Sequence, residues 1–441
     1  TSNSNSNDSY EEVLRSTMQE LKRSNGKSTG SLPVLNNLKS TGSIGSIGLS
    51  DSLKGMTPGP TESRIEFVKH ILDGNKLQPM IDFDSSETDS DYIRLRKKTM
   101  NVKELFISMN VGLEYIKSGT TGHTFKATSK TDASVAFAVK VCAYPKLDEY
   151  GGIKNPMRPE NAELRMLKLL SKFVIKMKTP HFILPIGTFN TSIKPFINVP
   201  TKLIDLRDEK HASYRKFIEK CEKDEFEDLV SILISEWANG GDLLDYIRRN
   251  YKKISLEQWT VIFFQILFTL ASIHKEYPAF KHNDMKGNNI LIRLIKNEKP
   301  GQLYGYSMAD DPVKFKIPAI GLQIKIWDFD FACIDGLIEN NKVNSTWTKK
   351  MNISKSKNQY YDMHYFFNTL ICEKFFPQFY TGGAPKEIVE FVQRIIPEKY
   401  RSVISSKYTK KGGRILVDHE YTTPYKVIME DPLFKKYKFN C

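Results

Sequence analysis

Asp284, Lys286 and Asn289 stand two and three residues apart in Lys281-His282-Asn283-Asp284-Met285-Lys286-Gly287-Asn288-Asn289-Ile290-Leu291, at the entry to an apolar run. A carboxylate, an amine and a carboxamide at those offsets suit phosphoryl transfer, in which a protein chiefly positions groups and neutralises charge. The carboxylate would take the proton of an attacking hydroxyl. The amine would sit beside the phosphate, and the carboxamide oxygen would help hold Mg²⁺. A second carboxylate with such a use is Asp328, which ends the apolar stretch Ile324-Lys325-Ile326-Trp327 and opens Asp328-Phe329-Asp330-Phe331. It is the candidate for bridging Mg²⁺ to nucleotide phosphates. Either motif alone is commonplace, because short polar residues mostly cap helices and build turns; their order and spacing together carry the reading.

These motifs resemble those of the eukaryotic-type protein kinase superfamily, over roughly Gly112 to the C-terminus. The resemblance implies an α+β, bilobal protein-kinase fold with a small, mainly β N-lobe and a larger, mainly α C-lobe. It also implies ATP and Mg²⁺ as cofactors, Asp284 and Lys286 as catalytic residues, and Asn289 and Asp328 as metal ligands. In Tyr115–Ala127, Gly119 and Gly122 match two of the three glycines of the phosphate-covering loop, where missing side chains let backbone N–H groups approach phosphate oxygens. Lys140, in the strand-like Val135-Ala136-Phe137-Ala138-Val139-Lys140-Val141, matches the lysine on the α- and β-phosphates. Its carboxylate partner is expected from the helix beginning near Glu160, with Glu163 the better placed and Glu160 the fallback. Ser235 to Ile247 resembles the hinge between lobes. There the backbone at Glu236 and Ala238 would meet the adenine edge, Ser235 would guard the back pocket and Asp242 would reach the ribose.

Lys286 two places after the catalytic aspartate resembles serine/threonine kinases rather than tyrosine kinases. More narrowly, Asp328-Phe329-Asp330-Phe331 followed by Tyr360-Tyr361-Asp362-x-His364-x-Phe366-Phe367 is similar to the poxvirus late virion serine/threonine kinase and its relatives in other large cytoplasmic DNA viruses. That implies a virion-associated enzyme acting on proteins of particle or membrane assembly, in the virion and host cytoplasm, or simply a cytoplasmic one if the viral likeness fails. Asp362 is expected to hold the catalytic-loop backbone from below. The sequence departs from the pattern at Lys117 for the first loop glycine, Asn283 for the arginine before the catalytic aspartate, and Asp330 for the last residue of Asp-Phe-Gly; it also lacks Ala-Pro-Glu. Those changes leave a catalytically weak pseudokinase or kinase-fold binding module as the alternative, although every group expected to touch phosphate or metal is present.

The elements that must place these residues can be followed along the chain. Residues 1–60 are rich in Ser, Asn, Gly and Thr and read as a disordered tail, with one amphipathic turn near Tyr10 to Leu21. Residues 61–111 read as an N-terminal extension, 112–235 as the N-lobe with an insertion at about 190–227, and 236–441 as hinge and C-lobe with an insertion at about 296–316. Within the first insertion, Lys210 to Phe226 is charged and helical in pattern. Ser255-Leu256-Glu257-Gln258 reads as a capping box before a long apolar helix that delivers the chain to the catalytic loop.

At 441 residues the chain exceeds what one core usually serves, in keeping with two lobes. Five cysteines without a C-x-x-C pair argue against a disulfide framework or zinc site. No leader-like segment is recognised at the start, and no apolar run approaches the ~18 residues of a membrane span. The formal charge of +14 is compatible with anionic membrane surfaces or acidic proteins as contacts. Aromatics and arginines do not alternate as in a nucleic-acid-binding face, so the expected partners are protein substrates.

Overall fold

The computed structural model describes residues 61–440 apart from 74, 76, 120, 121, 309, 402–413 and 415–418; the expected disordered tail and its amphipathic turn lie outside the described residues. The N-lobe is an antiparallel sheet of β1 (Val111–Ser118), β2 (His123–Ser129), β3 (Ala136–Pro145), β4 (Pro185–Ser192) and β5 (Phe226–Glu236), in the order β1-β2-β3-β5-β4. β3 is central and buried on both faces, which explains why Val135 to Val141 is apolar almost throughout instead of alternating.

The extension contributes α1 (Thr61–Leu72) and α2 (Val102–Ser108). Between them the chain runs beside β4. Met80 donates to the Ile186 carbonyl at 3.0 Å and Asn190 to that of Lys98 at 2.8 Å, so an edge that would otherwise expose unpaired backbone is covered. Leu77 presses so closely that a β-carbon on Gly187 would lie 2.5 Å from it. On the sheet lies α3 (Pro159–Ile175), whose apolar positions are buried. Within the first insertion, α4 (Ala212–Glu222) sets Tyr214 and Phe217 against the His123 ring, both at 4.4 Å, and so buttresses the start of β2.

The C-lobe is assembled around α6 (Leu256–Glu276), which follows α5 (Leu243–Asn250) and is started by a capping box of Ser255 and Gln258. This helix is long and apolar enough to cross a membrane by length and composition, contrary to the expectation that no run came near it; 83% of its apolar window is buried inside the lobe. Phe263 meets Phe367 at 4.8 Å on α7 (Tyr361–Leu370) and Phe391 at 5.8 Å on α8 (Lys386–Ile395). Residues Pro424–Glu430 form α9.

Two small ladders frame the site: β6 (Phe280–Lys281) with β11 (Cys333–Ile334), and β7 (Ile290–Leu294) with β10 (Leu322–Ile326). The excursion between β7 and β10 is itself a hairpin, β8 (Leu303–Ser307) and β9 (Val313–Pro318), extended by β12 (Lys438–Asn440). Tyr306 meets Phe264 of α6 edge-on at 5.3 Å and Phe315 meets it at a tilt at 5.0 Å, so this hairpin is part of the core.

Candidate active site

Lys140 reaches inward from β3 and places its Nζ 2.5 Å from Glu163 Oε1 on α3 and 3.2 Å from Asp328 Oδ1. The fallback Glu160 is occupied elsewhere, by Arg158 at 2.9 Å. Burial would strip Lys140 of its proton, but Glu163 and Asp328 together hold its pKa well above the ordinary value. Burial likewise pushes the Asp328 carboxyl up, and Lys140 outweighs it, leaving the group below the usual carboxylate range. Glu163 is raised by burial against the pull of Lys140. The arrangement is a lysine shared between two lobes, with Asp328 as the carboxylate kept ionised.

Gly119 donates to the Gly122 carbonyl at 2.8 Å across the β1–β2 turn. A β-carbon on Gly122 would lie 2.8 Å from Cys142 Sγ and 2.9 Å from the Val141 carbonyl, so close packing on β3 demands glycine there. Lys117, at the place of the first loop glycine, lies 3.6 Å from Asp242 and links β1 to the start of α5.

In the catalytic loop, Asp284 Oδ2 accepts from Lys286 at 2.8 Å and from Asn289 Nδ2 at 2.9 Å. Asn289 also donates to the Asp284 backbone carbonyl at 2.9 Å, which leaves its own side-chain oxygen for a ligand. Asp362 on α7 accepts the amide N–H groups of His282 and Asn283 at 2.7 and 2.9 Å, holding the loop from below. The His282 ring bonds the Trp327 carbonyl at 2.9 Å, and Trp327 N–H donates to the Asn289 carbonyl at 3.0 Å. The two strands of chemistry are thereby tied together. Asn283 and Asp328 both have left-handed backbones, at φ 62° and 64°, a region that Asn and Asp tolerate better than most residues.

An Asn oxygen and an ionised carboxylate suit Mg²⁺, which takes one or two protein oxygens and completes its shell with water and phosphates. No group of three or more His, Cys, Asp or Glu forms a self-sufficient metal cage among the described residues.

At the hinge, Ser235 is buried at the back and the backbone turns from β5 toward α5. The Glu236 side chain is buried. It is gripped by Arg64 of α1, with Nε at 2.8 Å from Oε1 and Nη2 at 2.7 Å from Oε2, and further by Arg293 at 3.1 Å and the Leu184 N–H at 2.7 Å. Its backbone N–H is spent on the Leu184 carbonyl at 3.0 Å. Asp242 caps α5, accepting the Asp245 N–H at 2.9 Å. Ala238 is buried within the hinge.

Three contributors were not visible as site residues in the sequence. Arg64 is the first. The second is Lys342, which pairs with Asp330; each residue is 6% exposed, so the pair is buried. Nearby, Asn340 donates to the Asp330 and Ala332 carbonyls at 2.9 and 3.2 Å, and Asn283 Nδ2 to the carbonyls of Phe331 and Ser354 at 3.1 and 3.2 Å. The third is Arg414, whose Nη2 lies 2.6 Å from Asp284 Oδ1. Each sits in a charged or Asn-rich stretch that reads as solvated surface.

Residues 242–412 match the family model described as poxvirus serine/threonine protein kinase. The chain is 62% identical over 384 residues to a serine/threonine-protein kinase of Acanthamoeba polyphaga mimivirus, covering 86% of this chain and 81% of that protein. A second serine/threonine-protein kinase of the same virus is 28% identical over 185 residues, 39% of this chain and 46% of its own length. Among solved structures, the twitchin kinase region of C. elegans overlaps 62% of this chain and 31% of its own at 14% identity and a TM-score of 0.31.

Proposed function

The chain belongs to the viral serine/threonine protein kinases of the eukaryotic-type protein kinase superfamily, and from that premise we propose that it moves the γ-phosphate of ATP onto Ser and Thr hydroxyls of proteins used in building the virus particle. The observation that supports the chemistry is the simultaneous presence of Lys140–Glu163 at 2.5 Å, Lys140–Asp328 at 3.2 Å and Lys286–Asp284 at 2.8 Å, with donors and acceptors in the places the transfer needs.

Lys140, steadied by Glu163, binds the α- and β-phosphates. Asp284 accepts the proton as the substrate hydroxyl attacks, and Lys286 offsets charge on the moving phosphoryl group. Asn289 and Asp328 would hold Mg²⁺, which when bound neutralises phosphate charge. Gly119 and Gly122 bring backbone close to the phosphates, and the hinge at Glu236 and Ala238 receives the adenine while Asp242 faces the ribose.

The viral relatives and the surplus of positive charge support substrates among acidic or membrane-associated particle proteins, with the enzyme in the virion and the host cytoplasm. Incubating purified protein with Mg²⁺ and γ-labelled ATP, then hydrolysing the products, tests the chemistry: phosphoserine and phosphothreonine are expected, and mainly phosphotyrosine would overturn it. Phosphoproteomics of particles made with and without a kinase-dead variant tests the assembly role; an unchanged particle phosphoproteome would sink it.

A further inference from the structure

Arg414 lies two residues beyond the segment that matches the family model, and its side chain is buried against the catalytic loop. Nη2 donates to Asp284 Oδ1 at 2.6 Å. Nη1 donates to the Asn283 backbone carbonyl and to the Tyr361 hydroxyl at 3.3 Å. The guanidinium plane sits over the Tyr365 ring, 4.4 Å from its centroid. We propose that Arg414 is a positioning residue for phosphoryl transfer, fixing the Asn283 carbonyl that precedes Asp284 and the Asp284 carboxylate itself.

Two geometric facts carry this. Asn283 has a left-handed backbone at φ 62°, which orients its N–H and carbonyl toward different partners. Its N–H is held by Asp362 at 2.9 Å, and Arg414 holds its carbonyl, so the residue before Asp284 is clamped on both sides. The second fact concerns the carboxylate. Lys286 and Asn289 both engage Oδ2, and a torsion at a carboxylate carbon is otherwise broad. Arg414 on Oδ1 stops that rotation, and an oxygen that accepts one hydrogen bond still has a lone pair for an incoming hydroxyl. The guanidinium also adds a fixed cation beside the place where phosphoryl charge develops. The opposite reading of the same contact is that Arg414 masks Oδ1 from substrate, which predicts a change of the opposite sign.

This inference rests on Asp284 being the hydroxyl acceptor, which is checked separately by wild-type turnover that D284N cuts by about 10²–10⁴-fold. The test compares R414M, R414K and R414A in the full chain. Expected are a kcat lower by about 10²-fold in R414M, as for loss of one fixed donor, an unchanged KM for ATP, a thermal midpoint close to wild type, partial recovery in R414K, and recovery of R414A by added methylguanidinium. Variants as fast as or faster than wild type would overturn the proposal. So would equal losses in R414M and R414K that follow the thermal midpoint and resist methylguanidinium.

Discussion

Substituting Lys342 by Met isolates one buried charge. Asp330 and Lys342 are each 6% exposed and pair directly, so the variant leaves a carboxylate inside the protein with no cation. Removing one partner of a buried ion pair typically costs about 3–5 kcal/mol, whereas replacing both by neutral groups of similar size is close to neutral. Lys342→Met should therefore lower the unfolding free energy from urea titration by about 3 kcal/mol or more, and the double variant D330N/K342M should recover most of it.

The pair also bears on activity. It anchors the residue two places after Asp328, where Asn340 and Asn283 grip the neighbouring carbonyls, so the segment after Asp328 is ordered by ions written into the sequence. An added phosphate has no such task to perform here, and Asn283 has no charge with which to receive one. Initial rates should fall in Lys342→Met, return in the double variant, and be unaffected by phosphatase treatment of the wild type. The reasoning fails if Lys342→Met stays within about 1 kcal/mol of wild type, below what an unpaired buried charge costs. It also fails if phosphatase removes most activity together with a phosphosite between 334 and 359.

Asp284→Asn and Asp328→Asn should each reduce kcat on the order of 10²–10⁴-fold with the fold retained, and near-normal turnover of either at ordinary Mg²⁺ would contradict its assigned role. Arg64→Met takes the bidentate partner from Glu236 and leaves Arg293 at 3.1 Å; KM for ATP should rise about tenfold, equal to ~1.4 kcal/mol, with kcat little changed, and an unaltered KM would dissociate α1 from nucleotide binding. Burial holds four imidazoles neutral: His123 and His274 are pushed down to about 4, His364 to about 3, and His181 well below the ordinary 6.5. Because the unfolded chain takes these protons first, their contribution is intact above pH 6.5 and is lost as pH falls toward 4, by up to about 2 kcal/mol per group at pH 5. A urea midpoint that stays flat from pH 7 to pH 5 would contradict this.

What was legible in the sequence was chemistry compressed into short offsets. Asp284, Lys286 and Asn289 share one loop, and Asp328 lies two residues past the end of the strand beside it, so their spacing is nearly their geometry. The capping box at Ser255 and the helix after Pro159 were readable for the same local reason. Contacts made over long separations were not. Arg64 meets Glu236 across 172 residues and Arg414 meets Asp284 across 130, and no periodicity records such encounters. The polar run from Lys296 to Lys316, with Ile317 directly after it, did carry a signal, since Tyr304, Tyr306, Phe315 and Ile317 alternate inward, but Lys314 and Lys316 on either side of Phe315 give the stretch a solvated composition.

The grip of Arg64 on Glu236 has a bearing on where this enzyme begins. By strands, the catalytic domain starts at Val111, and by family likeness its recognisable part starts at 242. By electrostatics it starts no later than α1, because a fragment cut at the first strand would keep Glu236 in the interior with its bidentate guanidinium partner missing. The smallest unit that handles nucleotide normally is thus set by the charge it must satisfy and is longer at the front than the sheet that defines it.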